Sequence, residues 1–385
     1  MFGLLTSTLV GLLPGAIHFQ DVTESAGIDS SAIPAVTSTH GQGAAWLDWN
    51  ADGFPDLLLA TGDGTPALYL NRGDGTGFIE STPKRLSDIH DIVAIDHLRV
   101  APLGLGQTSD VPRPGLALLV GQPARLVLVE LDSEGDVTAV PVSAPAQSLN
   151  LLSHGDLDGD GAQDLVVSQF ACGGSPTPLR TIFRLDASPA GYRMRLDAPG
   201  FPGAGCWPVP FVTDYDGTGH PVTLVVSDFG SLADPSYVLR PDGPEVLAPV
   251  YGMGVAAGDT NGDGRLDYAL ANIQQDVLLV SGEAGRNVTV GPADSEWGEY
   301  GVRLKWGLTY LDADNSGDLE LWAAAGPTVT LLVSPDMNAR DVFLNDGHDV
   351  GPAAGVGTES NERAVAVADW DRDGRLDGLV GGPDG

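Results

Sequence analysis

A nine-residue acidic pattern, Asp-x-(Asp/Asn)-x-(Asp/Asn/Ser)-Gly-x-x-(Asp/Glu), recurs five times, and each copy precedes a short apolar run. Oxygen-bearing side chains at positions one, three and five of a tight loop converge on one point, and calcium prefers six to eight oxygen ligands. The glycine at position six provides the positive φ that the turn needs. The copies span residues 48–56, 156–164, 259–267, 312–320 and 369–377.

We predict about five calcium sites, each with side-chain ligands at positions one, three, five and nine and a backbone carbonyl ligand at position seven. A single copy could equally be a solvated Asp-Gly turn that binds nothing, but five copies in register favour metal binding. The predicted ligands are Asp48, Asn50, Asp52, Phe54 and Asp56; Asp156, Asp158, Asp160, Ala162 and Asp164; Asp259, Asn261, Asp263, Arg265 and Asp267; Asp312, Asp314, Ser316, Asp318 and Glu320; and Asp369, Asp371, Asp373, Arg375 and Asp377.

An EF-hand or dockerin loop is the nearest alternative, but it runs between helices and ends in a bidentate glutamate at position twelve. That position here holds Leu59, Val167, Leu270, Ala323 and Val380. The residues after each loop are rich in Leu and Val and soon reach Gly or Pro, which is typical of strands.

Two degenerate copies fill the gaps between the five. Residues 214–222 keep Asp214, Asp216 and Thr218 but end in Val222. Residues 93–97 offer Asp96 as a first position, and an insertion through Pro114 then replaces the loop. The resulting spacing of 45 to 60 residues fits one four-stranded propeller blade per copy.

The flanking segments complete such blades. A strand of small residues precedes each loop, as expected for the crowded innermost strand of a propeller. Hairpins follow at 68–80, 126–140, 182–196, 237–247, 277–290 and 342–350. We therefore predict an all-β fold, a single seven-bladed β-propeller over residues 17–385, with four-stranded blades and a ring closed by an N-terminal strand. The blades should start near residues 41, 90, 150, 207, 252, 305 and 363.

The N-terminal segment allows two interpretations. Residues 2–16 are apolar and resemble a signal peptide that lacks a positive n-region. Alternatively, residues 4–10 form a closing strand, and residues 17–23 supply the outer strand that the last blade lacks. A truncated chain would also leave that blade unfinished. Sequencing the N-terminus of the mature protein separates cleavage from closure.

Composition excludes some functions. The chain has 19 Lys and Arg against 52 Asp and Glu, a formal charge of −33, so phosphate-backbone binding to nucleic acid is excluded. Repulsion among so many acids favours bound cations. No apolar stretch has the length of a membrane span.

The segments HFQDVTESAGI, GQGAAWLDWNADGFPDLLLA and LYLNRGDGTGF resemble the FG-GAP or VCBS repeat family of integrin-α-like propellers. The resemblance is closest to the bacterial branch often joined to an ASPIC/UnbV domain, although the sequence has no such C-terminal domain and no clear FG-GAP tetrapeptide. It implies seven blades, calcium in hairpin loops on one face, and ligand binding through loops on the other.

The expected function is a secreted, calcium-binding scaffold for adhesion to a glycan or protein, in the extracellular space or cell envelope, where calcium is abundant. In propeller topology Cys172 and Cys206 lie on one face, and we predict a disulfide between them. Insertions that carry Trp207, Trp297 and Tyr300 are the candidate binding surface.

The alternatives are a propeller enzyme, either a lyase or a hydrolase of polysaccharides, and a structural piece of an envelope assembly. His40, His154 and His220 lie near calcium loops. No catalytic motif is present, and the well-placed acids are already assigned as metal ligands, so we predict no enzymatic activity and no catalytic residues.

Overall fold

In the computed structural model of the chain, the regular secondary structure of the described residues is almost entirely antiparallel β-strand. Among these residues, the one helix is a four-residue turn, so none has the length and hydropathy to cross a bilayer. The described residues are 2–9, 17–29, 44–60, 66–90, 92–100, 113–120, 125–131, 137–142, 149–157, 159, 164–169, 182–188, 191–198, 208–227, 236–240, 242–247, 252–271, 277–281, 287–290, 305–326, 342–345, 348–349, 356 and 364–381.

The chain divides into two compact units. The first comprises residues 1–63, 67–81 and 253–385, and the second comprises residues 64–66 and 82–252. Both consist of four-stranded antiparallel sheets, which we number by the order of their first strands along the chain.

In its described residues the first unit holds four of these sheets. Sheet 1 contains β3 (Ala44–Leu47), β4 (Asp56–Ala60), β5 (Pro66–Asn71) and β6 (Phe78–Glu80). Sheet 5 contains β19 (Val255–Gly258), β20 (Asp267–Leu270), β21 (Val277–Ser281) and β22 (Asn287–Val290). Sheet 6 contains β23 (Lys305–Leu311), β24 (Glu320–Ala325), β25 (Val342–Asn345) and β26 (His348–Asp349). Sheet 7 contains β27 (Ala364–Ala368), β28 (Asp377–Gly381), β1 (Phe2–Leu9) and β2 (Ile17–Asp21).

The described part of the second unit holds three sheets, and the helix α1 (Lys84–Ser87) precedes its first strand. Sheet 2 contains β7 (Ile92–Val100), β8 (Arg113–Val120), β9 (Arg125–Leu131) and β10 (Val137–Pro141). Sheet 3 contains β11 (Leu149–Gly155), β12 (Asp164–Gln169), β13 (Ile182–Ser188) and β14 (Gly191–Ala198). Sheet 4 contains β15 (Pro208–Thr213), β16 (Val222–Ser227), β17 (Tyr237–Arg240) and β18 (Gly243–Val246).

Sheet 7 combines strands from both ends of the sequence. Strand β1 pairs with β28 from Phe2 opposite Gly381 to Leu5 opposite Gly378, and β2 then pairs with β1. Leu4 and Phe19 are buried there, so both N-terminal strands contribute to the core. This pairing is what the closing-strand interpretation predicts. The number of blades, closure of a ring and cleavage of residues 1–16 stay predictions.

Neighbouring sheets pack through their first strands, in the order β19, β23, β27, β3 in the first unit and β7, β11, β15 in the second. Small residues allow the close approach. A Cβ on Gly258 would lie 2.6 Å from Leu319 and 3.1 Å from the ring of Tyr310. The small-residue strands are thus explained by packing, because a larger side chain would force adjacent sheets apart.

The second strands β4, β20, β24 and β28 are buried on both faces. Every residue of these four strands is buried. Their sequences are therefore continuous apolar runs and not alternations of apolar and polar residues. In the first unit Trp322 on β24 packs against Phe19 on β2, with ring centroids 5.0 Å apart.

All six predicted hairpins are present, as the third and fourth strands of sheets 1 to 6. The prediction for Asp96 is wrong, because this residue lies inside β7, opposite Ala117 on β8, and does not begin a loop. The apolar run around Asp96 extends the strand to Val100, and the connection starts only after it.

Candidate metal centres

The acidic loops connect the first and second strands of their sheets. In every copy position one follows the last residue of the first strand, and position nine is the first residue of the second strand. The residue before position one pairs across the ladder with position nine, as Leu47 does with Asp56 and Ala368 with Asp377. Each loop is therefore fixed at both ends by a strand pair.

The carboxylate at position one holds the turn from inside. It accepts a hydrogen bond from the backbone N–H of the glycine at position six in four loops, at 2.8 to 3.1 Å; the pairs are Asp48 with Gly53, Asp259 with Gly264, Asp312 with Gly317 and Asp369 with Gly374. These glycines have φ between 82° and 92°, so the predicted left-handed conformation is confirmed there.

Position four is also left-handed, which sequence reasoning missed. Ala51, Asn315 and Arg372 each have φ of 58° and carry a Cβ in a region that glycine occupies more readily. Asparagine at position 315 was an available signal, because asparagine tolerates this conformation better than most residues.

Positions three, five and nine cap further backbone groups. Asn50 accepts the N–H of Asp52 at 3.0 Å, and Asp52 accepts that of Phe54 at 2.8 Å. The acid at position nine accepts the N–H of position two, as Asp56 does from Trp49 at 2.8 Å and Glu320 from Ala313 at the same distance. The predicted ligands thus also hold the loop's own backbone.

Among the residues that the structure describes, two loops bring three carboxylates together. The first group is Asp312, Asp314 and Glu320, and the second is Asp369, Asp371 and Asp373; in each, one oxygen per residue lies within 4.8 Å of the others. Oδ1 of Asp312 and Oδ1 of Asp369 are buried and have no hydrogen-bond partner. Each group therefore offers only oxygen ligands, and one of them is a buried oxygen without a hydrogen-bond partner. Such a site fits a hard divalent cation such as calcium.

Burial and neighbouring carboxylates raise the pKa of one acid in each group. Burial, reinforced by the carboxylates of Asp314 and Asp312, raises the pKa of Glu320 to about 7. Burial also raises the pKa of Asp371, and the carboxylates of Asp373 and Asp369 add to the effect. A cation would favour the charged forms and lower both pKa values.

The other three loops are less acidic or only partly described. Loops 48–56 and 259–267 carry the asparagines Asn50 and Asn261 at position three. In loop 156–164 the carboxylate of Asp156 accepts the N–H of Gly159 at 2.7 Å. The predicted ligands Asp158, Asp160 and Ala162 lie outside the described residues.

Among the described side chains at position seven, that of Arg375 contacts a ligand group and that of Phe54 contacts a neighbouring loop. The guanidinium of Arg375 forms an ion pair with Asp373, and the ring of Phe54 lies 3.8 Å below the guanidinium carbon of Arg372. Neither contact tests the backbone carbonyl of position seven, so its role as a ligand stays a prediction.

Side chains at position four link neighbouring loops of the first unit. Asn315 donates to the carbonyl oxygen of Gly374 at 2.8 Å, and Arg372 donates to the carbonyl oxygen of Gly53. The carbonyl oxygen at position six of one loop thus accepts a hydrogen bond from the side chain at position four of the preceding loop. The corresponding Gly262 has no side chain, so loop 259–267 cannot make this link.

Several other predicted features cannot be placed. Both cysteines, the aromatics Trp207, Trp297 and Tyr300, and His40 lie outside the described residues, so the disulfide and the aromatic binding surface stay predictions. His220 is exposed in loop 214–222, and His154 lies on β11.

Comparison with known proteins supports the repeat and the fold. Residues 48–98 match the FG-GAP-like repeat, a segment that includes the first acidic loop. A search of curated proteins found no significant sequence match. The resemblance to an FG-GAP repeat protein is therefore confirmed for this segment, and the particular branch stays a prediction.

The similar solved structures are β-propellers. BBS1N in complex with ARL6DN, soaked with mercury, matches with a TM-score of 0.53 at 12% identity, over 90% of this chain and 94% of that one. Its lead-soaked form matches with a TM-score of 0.50 at 11% identity, over the same shares of the two chains. A streptogramin B lyase matches with a TM-score of 0.48 at 12% identity, over 90% and 96% of the two chains. The two matches to BBS1N, with TM-scores of 0.50 and 0.53, support a propeller-like fold, and identities this low carry no conclusion about activity.

Proposed function

We propose that this chain is a calcium-binding, seven-bladed β-propeller, closed by its N-terminal strands, that acts outside the cytosol as a binding or adhesion scaffold for a glycan or a protein. One observation carries the calcium assignment: two groups of three carboxylates within 4.8 Å, each with a buried position-one oxygen that lacks a partner. Like charges so close together repel, and a divalent cation relieves that repulsion.

The metals have a structural role in this proposal. Each loop joins the first two strands of a sheet, so a cation bound there ties the innermost strand to its neighbour. Extracellular calcium modules bind at about 0.1 to 1 mM. At about ten times the dissociation constant, each site adds roughly 1.4 kcal/mol to stability. Sites of this affinity fill only where free calcium is high, which supports a location outside the cytosol.

Calorimetric titration of the chelated protein with calcium tests the assignment. Asp312→Asn and Asp369→Asn should each remove one site, because asparagine still accepts the glycine N–H but lacks the charge. Asp88→Asn, an exposed acid outside the loops, is the control and should leave the count unchanged. Equal calcium counts in all four proteins would contradict the proposal.

Thermal unfolding with and without calcium tests the structural role. The melting temperature should rise by several degrees at about ten times the dissociation constant, and Asp312→Asn should reduce the rise. A melting temperature that stays within about one degree would exclude structural metals.

The binding role is supported by the repeat family and the scaffold architecture. A glycan array probed with calcium and then with chelator tests it directly. Calcium-dependent binding to one sugar class would identify a glycan as the ligand. A uniformly negative array would exclude a glycan ligand and direct the search to protein partners.

A further inference from the structure

Loop 214–222, between β15 and β16, keeps the turn of the acidic loops without the full ligand set. Asp214 accepts the N–H groups of Thr218 at 2.9 Å and Gly219 at 2.8 Å. Gly217 and Gly219 have φ of 66° and 78°, which match positions four and six elsewhere. Val222 begins β16 where the other loops have an acid. The conformation is thus preserved although one ligand is missing.

The carboxylate at position three has a different partner here. In the other loops the position-three oxygen accepts the N–H two residues further on, as in Asn50 and Asp371. Asp216 instead uses both oxygens to bind the two terminal nitrogens of Arg240, one of them at 2.9 Å. This carboxylate is therefore committed to a cation from the protein itself.

Arg240 is held in place from several sides. It is the last residue of β17, and its Nε donates to Glu245 at 2.7 Å. The ring centroid of Tyr215, at position two of the loop, lies 6.0 Å from the guanidinium carbon. A planar guanidinium with two carboxylate partners is strongly oriented, which a single lysine ammonium would not reproduce.

We propose that Arg240 is the resident cation of loop 214–222, which replaces a metal ion there and makes this loop independent of calcium. The idea rests on the proposed function insofar as the other loops bind calcium. The electrostatics agree with it, since the guanidinium of Arg240 lowers the pKa of Asp216. The loop thus pairs its acid with a cation of the protein itself.

The central test restores the missing acid with and without Arg240. Calcium is counted by titration in the wild type, Val222→Asp, Arg240→Gln and the double variant. Val222→Asp alone should bind as many ions as the wild type, because Arg240 still holds Asp216. The double variant should bind one ion more. A gain in Val222→Asp alone, or none in the double variant, would overturn the proposal.

Failure of the proposed function gives a different result. If no loop binds calcium, the wild type binds none, whereas a double variant that gains one ion still supports the role of Arg240. If the wild type binds several ions and the double variant gains none, the role of Arg240 alone is refuted.

Melting in chelator gives a readout that needs no metal. Arg240→Gln should lower the melting temperature by at least about 2 °C, and Arg240→Lys should lower it less because it retains the charge. Lys84→Gln, which removes the exposed pair with Asp88, is the control and should change little. An unchanged melting temperature in Arg240→Gln would overturn the proposal even if the double variant does not fold.

Discussion

Glu320→Gln tests whether loop 312–320 exchanges a proton for a cation. Glu320 is buried, and its pKa is raised from 4.5 to about 7 by burial and then by the carboxylates of Asp314 and Asp312. Between these two pH values the metal-free folded protein holds a proton that the unfolded chain has lost. Stability must therefore fall as pH rises through this window.

The size of the effect follows from the width of the window. The interval from 4.5 to about 7 corresponds to roughly 3 kcal/mol at about 1.4 kcal/mol per pKa unit. That is an upper limit, because other acids near the site titrate with Glu320. Calcium should reverse the trend. Its binding requires the charged carboxylate, so its stabilisation grows as pH rises towards 7 and above.

The assay is thermal unfolding between about pH 5 and pH 8, in chelator and in calcium. Glutamine at position 320 still accepts the N–H of Ala313 but does not titrate, so the metal-free variant should lack this fall in stability. Asp318→Asn is the matched control, since Asp318 is an exposed acid of the same loop. Parallel pH profiles for the wild type and Glu320→Gln in chelator would refute the reasoning.

Three further predictions concern the fold. Asn71→Leu removes the buried hydrogen bond, 2.7 Å long, from Nδ2 of Asn71 to the carbonyl oxygen of Trp370. The free energy of unfolding, measured in urea, should fall by about 1 to 3 kcal/mol. An unchanged free energy of unfolding would mean that water replaces the hydrogen bond. Gly258→Val forces a side chain against Tyr310 and should lower stability by about 1 to 3 kcal/mol, whereas unchanged melting would show that the sheets can separate. Deletion of residues 2–9 removes β1 from sheet 7 and should lower the melting temperature, and an unaltered melt would contradict its place in the core.

The acidic repeat could be predicted from sequence because the two features that define it involve only residues close together in the chain. Alternating oxygen side chains and a glycine at position six define the turn, and the apolar run after position nine marks a strand, as with Asp56 and the residues that follow it. The hairpins were readable from their turn residues. Asp96 was misplaced because one aspartate without the remaining loop positions carries no turn signal.

The contacts between loops could not be read from sequence. Asn71 and Trp370 are 299 positions apart, and the link from Arg372 to Gly53 spans 319. Such pairs depend on which sheets are neighbours. The ion pair of Arg240 with Asp216 could not be predicted for the same reason. It forms because β17, which ends in Arg240, pairs with β16, which follows the loop that contains Asp216. The position-nine consensus shows that Val222 stands where an acid is expected, but it does not show that Arg240 binds the position-three carboxylate of Asp216.

The hydrogen bonds of the loops bear on what calcium does. Asp48 and Asp369 each accept a backbone N–H through one oxygen, so the turn is held even without a cation. A carboxylate oxygen that lacks a partner, such as Oδ1 of Asp369, is then the atom that a cation stabilises. Removing calcium should therefore lower the melting temperature without loss of β-structure. Loop 214–222 follows the same logic, because its turn persists while Arg240 carries the positive charge.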